Sequence, residues 1–184
     1  MTTIRTTAGK WKAFVCLALA GFLVSGLAIT APAAAAPKQI GAYKDWKAYS
    51  SQESGGKVCF VVSTPRDKRP KNVKRGDIFF IVTNWGDGHW QPSIEIGYPF
   101  KTSAKASVNI GSDKFALFTD NDESTNNGGA WLREKADETR MIRAMKGGSS
   151  MTVKGTSKRG TLTTDRYSLS GVTAALAAAA KSCK

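Results

Sequence analysis

Asp77-Ile78-Phe79-Phe80-Ile81-Val82-Thr83 is the stretch from which the rest of this chain is best read. Ile78 through Val82 are β-branched or aromatic without a break, which predicts a strand. Both of its faces are apolar, so it is expected at the centre of a sheet, covered on both sides. Outward from it, further β-type runs fall at residues 43–49, 57–63, 93–98, 106–110, 114–119, 150–155 and 163–169. Turn-forming clusters separate them, and Gly111-Ser112-Asp113 reads as a hairpin turn. The pattern is that of an all-β fold, a β-sandwich in one domain.

Two short helices interrupt the β pattern. Asp137 is placed to cap a helix through Lys146, ended by Gly147-Gly148. Met141, Ile142 and Met145 form its apolar face, which reads as core, with Arg140, Arg143 and Lys146 outside. A second helix is expected over residues 173–182, with Val172, Leu176, Ala179 and Cys183 on one stripe. Trp46 and Trp131 sit in patterned segments and are expected in the core.

The N-terminus has the order of a secretory leader. Arg5, Lys10 and Lys12 precede an apolar run from Ala13 to Ile29, followed by Ala31-Pro32-Ala33-Ala34-Ala35-Ala36. Cleavage is placed near Ala35, giving a signal peptide over 1–35 and a mature domain over 36–184. The run is shorter than the roughly 20 residues that span a bilayer, and Gly21, Ser25 and Gly26 interrupt it. No second apolar segment could span a membrane. Removing three cations with the leader takes the net charge from +13 to +10. The expected location is periplasmic, outer-membrane-associated or secreted. Export makes nucleic acid a poor candidate partner; lipid head groups, lipopolysaccharide, acidic glycans or an acidic protein fit that charge instead.

Cys59 and Cys183 remain after the leader is removed, an even number in a disulfide-permissive compartment. They are either bridged or two free thiols. Cys59 shares a strand face with Val61, and laying the C-terminal helix over that face brings the thiols together.

Catalytic motifs are missing from the sequence. His89 is the sole histidine, and no G-x-S-x-G, H-E-x-x-H, C-x-x-C or Walker pattern occurs. No cofactor is implied. Asp120, Asp122 and Ser124 alternate as at the start of a calcium loop, but Thr125 stands where glycine is needed and no closing glutamate follows. That segment reads as a solvated connection, with no metal site assigned.

Two loops are candidates for binding. Pro65-Arg66-Asp67-Lys68-Arg69-Pro70-Lys71-Asn72-Val73-Lys74-Arg75 has six cations against one acid. Its prolines argue against a strand. Arg66, Lys68, Arg69, Lys71, Lys74 and Arg75 are its candidate contacts for a polyanion or acidic partner, and Lys154, Lys158, Arg159 and Arg166 add a second basic area if the fold brings them near. The other loop, residues 84–92, sets Trp85 and Trp90 around a glycine-rich turn. These rings could stack on an envelope glycan or fold back as a lid over the sandwich edge.

Blocks along the mature chain resemble the invasion-associated locus B family of exported proteins. They include Val58-Cys59-Phe60-Val61-Val62-Ser63-Thr64-Pro65-Arg66, Gly76-Asp77-Ile78-Phe79-Phe80-Ile81-Val82-Thr83 and Ile96-Gly97-Tyr98-Pro99-Phe100-Lys101. Met141-Ile142-Arg143-Ala144-Met145-Lys146-Gly147, Met151-Thr152-Val153-Lys154-Gly155 and Asp165-Arg166-Tyr167-Ser168-Leu169 follow in family order. The resemblance implies a periplasmic or surface-exposed protein, an immunoglobulin-like β-sandwich, and a structural bridge between Cys59 and Cys183. It implies no catalytic residues, and the association with invasion is a phenotype rather than a reaction. The function expected is therefore a non-enzymatic envelope protein that acts by binding, with a glycan-binding module as the alternative.

Overall fold

The computed structural model describes residues 36–184, so the leader expected over 1–35 lies outside the described residues. The first strands are β1 (Lys38–Tyr43), β2 (Trp46–Glu53), β3 (Gly56–Ser63), β4 (Asp67–Arg69), β5 (Phe79–Asn84) and β6 (Trp90–Glu95). They are followed by β7 (Ala106–Ile110), β8 (Asp113–Asp122), β9 (Asn127–Trp131), α1 (Lys135–Gly147), β10 (Ser150–Thr156), β11 (Leu162–Ser168) and α2 (Val172–Ser182). All strand pairs are antiparallel, in the order β1-β2-β3-β5-β6-β9-β8-β7-β10-β11-β4.

The sheet is continuous but folded into two layers, and β8 makes the fold. Its first half pairs with β7 as far as Leu117, and from Phe118 onward it pairs with β9. One layer holds β1, β2, β3, β5, β6 and β9; the other holds β7, β10, β11 and β4. Trp46, Val61, Phe80 and Ile94 face inward from the first layer, and Val108, Phe115, Met151, Val153 and Tyr167 from the second. Phe80 is the hinge of this core, edge-on to Trp46 at 6.1 Å and to Tyr167 at 5.9 Å. Burial of such rings supplies most of the driving force for closing the two layers.

The layered antiparallel architecture matches the expectation, and several local features correct it. Residues 43–49 are a hairpin corner rather than one strand, because Lys44 turns the chain at φ 54°. β9 was not expected: its Gly128 lets the backbone approach Phe100 so closely that a Cβ would lie 2.5 Å from the ring. β5 is central, yet only its inner face is covered. Phe79 and Ile81 face outward and are half-buried. Ile81 belongs to an outer row of Lys47, Val62, Ile81, Ser93, Trp131 and Phe118, so Trp131 lies on this face and not in the core. These side chains shield one another laterally, with Tyr49 stacked on Phe60 at 5.4 Å and Phe118 edge-on to Trp131 at 5.1 Å.

α1 starts earlier than expected. Glu134 occupies its N-cap without a side-chain bond, and Asp137 lies in the first turn, where its charge complements the helix dipole. Met141 and Met145 are fully buried, as the apolar stripe requires. α2 lays Val172, Ala175, Leu176 and Ala179 against the inner face of β1 to β3. The Cys59–Cys183 disulfide joins the helix end to β3. Lys57 Nζ donates to the Ser182 carbonyl beside it.

Candidate functional site

The basic loop is partly a strand. Pro65 and Pro70 bracket β4, which takes three of the four residues between them as an edge strand on β11. An edge strand needs only one side of its ladder, which is why the flanking prolines do not prevent it. The register sets Asp67 opposite Arg166, Lys68 opposite Asp165 and Arg69 opposite Thr164. The Arg66 N–H bonds the Arg166 carbonyl at 2.8 Å.

Side chains in the loop then divide by what they touch. Arg75 turns inward: its guanidinium, 6% exposed, forms a two-pronged pair with Asp165 at 2.7 and 2.6 Å. It also donates to the Ile96 carbonyl at 2.8 Å and lies 5.0 Å over the Tyr98 ring. Arg75 is thus committed to the interior and leaves the set of candidate surface contacts. Burial pushes the neighbouring Tyr98 phenol up to about 12, against the hydrogen bond to Thr163. Arg66 pairs with Asp45, and Arg69 donates to Asp67 at 2.9 Å. That hydrogen bond from Arg69 holds the Asp67 carboxyl below the usual aspartate range. Lys68, Lys71 and Lys74 have no carboxylate partner among the described residues.

The second basic area lies beside this loop. Lys158 and Arg159, in the β10–β11 turn, share with Lys74 a recess of about 480 Å³ that also reaches Tyr98 and Asn126. A second recess of about 640 Å³ is lined by the loop itself and shares Lys74 and Arg75 with the first. On the outward face of this layer the cross-strand rows read Arg69, Thr164, Lys154, Ser107 and then Asp67, Arg166, Thr152, Asn109, Lys114. That face is polar and cationic, whereas the outer face of the other layer is aromatic and aliphatic.

Trp85 and Trp90 do not form one platform. Trp85 is 60% exposed and its indole N–H donates to the Gln91 Oε1 at 3.1 Å, on the outward side of β6. Trp90, the adjacent residue of that strand, therefore points to the opposite side and packs against the core. It lines a cleft of about 370 Å³ with His89, Thr139, Ile142, Arg143 and Lys146.

One constellation was missed in the sequence. His89 Nε2 meets the carboxylate of Glu138, whose side chain is 4% exposed at the edge of this cleft. The signal was present: Glu138 shares the helical stripe of Met141, Ile142 and Met145, and a lone acid on a buried stripe needs a partner. Thr139 is the one hydroxyl lining the cleft, and it donates to the Lys135 carbonyl at 2.9 Å. The oxygen-rich turn after β8 satisfies itself, with Asp122 accepting from Ser124 and Thr125 at 2.6 and 2.9 Å.

A family model described as Invasion associated locus B (IalB) protein matches residues 46–180. Among solved structures, the crystal structure of invasion associated protein B from Bartonella henselae aligns with a TM-score of 0.55 at 12% identity. The alignment covers 74% of this chain and 92% of that one, and at this identity it shows a shared fold alone. No curated protein matches the sequence. Among the described residues, no helix is long and apolar enough to cross a membrane.

Proposed function

Since the chain belongs to the invasion associated locus B family over residues 46–180, we propose that it is an exported, non-enzymatic envelope protein that binds an anionic partner. One observation supports this above others. The pairing of β4 with β11 sets Arg69 and Arg166 on the outward face with Lys154, and Lys74 meets Lys158 and Arg159 at the neighbouring recess. Cations on separate segments of one folded face act together on a polyanion, and their attraction falls as salt shortens the screening length. The association with invasion is a family property, and envelope binding is the reading of how this chain would serve it.

The test is retention on inorganic polyphosphate and on vesicles containing phosphatidylglycerol, measured across a salt series. Changing Lys68, Lys71, Lys74 and Lys158 to glutamate should abolish retention at about 0.15 M salt, where screening acts over roughly 8 Å. All four side chains are exposed, so the melting temperature should hardly move. Retention equal to that of the parent protein at low salt would remove the cationic face from the reading.

Glycan binding stays as a second reading, carried by Trp85 on the aromatic outer face rather than by a Trp85–Trp90 pair. Trp85→Ala should then erase any fluorescence shift caused by cell-wall oligosaccharides. A flat titration of the unmutated protein ends that reading.

A further inference from the structure

One residue on the cationic face does not suit a soluble polyanion. Leu162 opens β11 opposite Thr156, two residues after the Lys158-Arg159-Gly160 turn, and it is 60% exposed. The other outward positions of the neighbouring rows are Arg69, Thr164, Lys154, Asp67, Arg166 and Thr152, so leucine is the large apolar side chain among charges and hydroxyls. A phosphate chain or sulfated sugar offers such a group nothing. An anionic bilayer offers both halves of what this tip presents: phosphates for the cations and hydrocarbon for the leucine.

We infer that the cationic face docks on the surface of an anionic lipid bilayer, with the β10–β11 tip dipping Leu162 below the head groups while Lys158, Arg159 and Lys74 contact phosphate. This rests on the cationic-face reading and adds the class of partner to it. Long basic side chains can lie along the interface with their charge in the head-group layer as the leucine passes below. The tip is already ordered before contact. Gly160 N–H bonds the Ser157 carbonyl at 2.7 Å, Ser157 N–H the Thr161 carbonyl at 2.9 Å, and Lys158 N–H the Pro99 carbonyl at 2.8 Å. A rigid tip loses little conformational freedom on insertion, so little of the binding energy is spent in ordering it. No carboxylate lines the recess that Lys74, Lys158 and Arg159 share, and Asp67 is paired with Arg69. The nearest exposed acids in sequence to that recess are Asp77, beside Gly76, and Asp122 and Glu123, in the turn that carries Asn126. One leucine with several cations gives reversible, salt-sensitive attachment rather than permanent insertion.

Leu162→Ser tests this without changing charge. The purified protein and this variant are sedimented with vesicles of phosphatidylglycerol and phosphatidylcholine, and separately captured on inorganic polyphosphate. The expected result is roughly tenfold weaker vesicle binding for the variant, the scale of one leucine returned to water, with polyphosphate capture unchanged. Lys158→Glu with Arg159→Glu should weaken both. Equal vesicle binding by the parent and Leu162→Ser overturns the lipid inference, as does capture on polyphosphate without any vesicle binding; in both cases the cationic-face reading survives. Failure of the parent protein to bind either probe overturns both.

Discussion

The Tyr167 hydroxyl is buried in the core without a hydrogen-bond partner among the described residues. Its ring packs against Phe80, so the side chain is retained for its aromatic body while its polar end stays desolvated. Tyr167→Phe should therefore be neutral or stabilising by about 1 kcal/mol, measured by urea unfolding, since removing an unpaired buried hydroxyl relieves its desolvation cost. Arg75 is the opposite case. Arg75→Met strands the Asp165 carboxylate at zero exposure, and breaking such a pair from one side costs about 3–5 kcal/mol. Two other residues contribute to the pH dependence of stability. The hydrogen bond from Ser168, with help from Arg66, holds Asp45 below the ordinary value of 3.8. Its contribution is full above the unfolded value and is lost as pH falls through the folded one, so Asp45→Asn should flatten the acid limb of a stability–pH curve. Tyr98 works at the alkaline end. Its phenol stays neutral to about 12 in the folded protein but ionises near 10 when unfolded, so stability falls as pH rises between those values. Tyr98→Phe should lessen that decline, the remainder coming from Tyr167, whose phenol burial also raises.

Among the elements, α2 depends on the residue before it. Gly171 has φ 94°, and a Cβ there would lie 1.9 Å from the Tyr43 carbonyl oxygen, a backbone atom of the β1–β2 corner. Gly171→Ala must displace either the helix start or that corner, and its loss should exceed the roughly 1 kcal/mol typical of glycine substitutions. A drop of several degrees in melting temperature is expected. This glycine is followed by the stripe of Val172, Leu176 and Ala179, which was legible because burial on one side of a helix imposes a repeat on the sequence. The strands with alternating inner residues, such as β3 and β10, were legible for the same reason. Elements with no such repeat were hidden. β4 is three residues of charge between prolines, held by its partner's backbone rather than by side-chain burial. β9 is Asn-Gly-Gly-Ala-Trp, chosen for close approach rather than β-propensity. The candidate site was legible as charge but not as geometry: the loop's cations were visible, whereas the inward turn of Arg75 depends on Asp165, 90 positions away. The His89–Glu138 pair spans 49 positions and left as its trace only a lone acid on an apolar stripe.

For the molecule as a whole, the two outer faces differ in kind, one cationic and one aromatic, around a core shared by both layers. The disulfide secures this arrangement across a separation of 124 residues. Chain-entropy arguments put a loop of that size at up to about 5 kcal/mol, so Cys183→Ser should lower stability by a large part of that in urea unfolding. Reducing the parent protein should reproduce the loss, and the variant should then be insensitive to reductant. The position of that bridge also has a consequence for biogenesis. A polypeptide made from its N-terminus presents Cys59 long before its partner, 124 residues further on. Covalent closure must therefore wait until that second cysteine has been made. Through that interval the one other thiol in the chain is Cys16, inside the expected leader. Cutting the leader away would discard the rival along with the address, leaving Cys59 a single choice of mate.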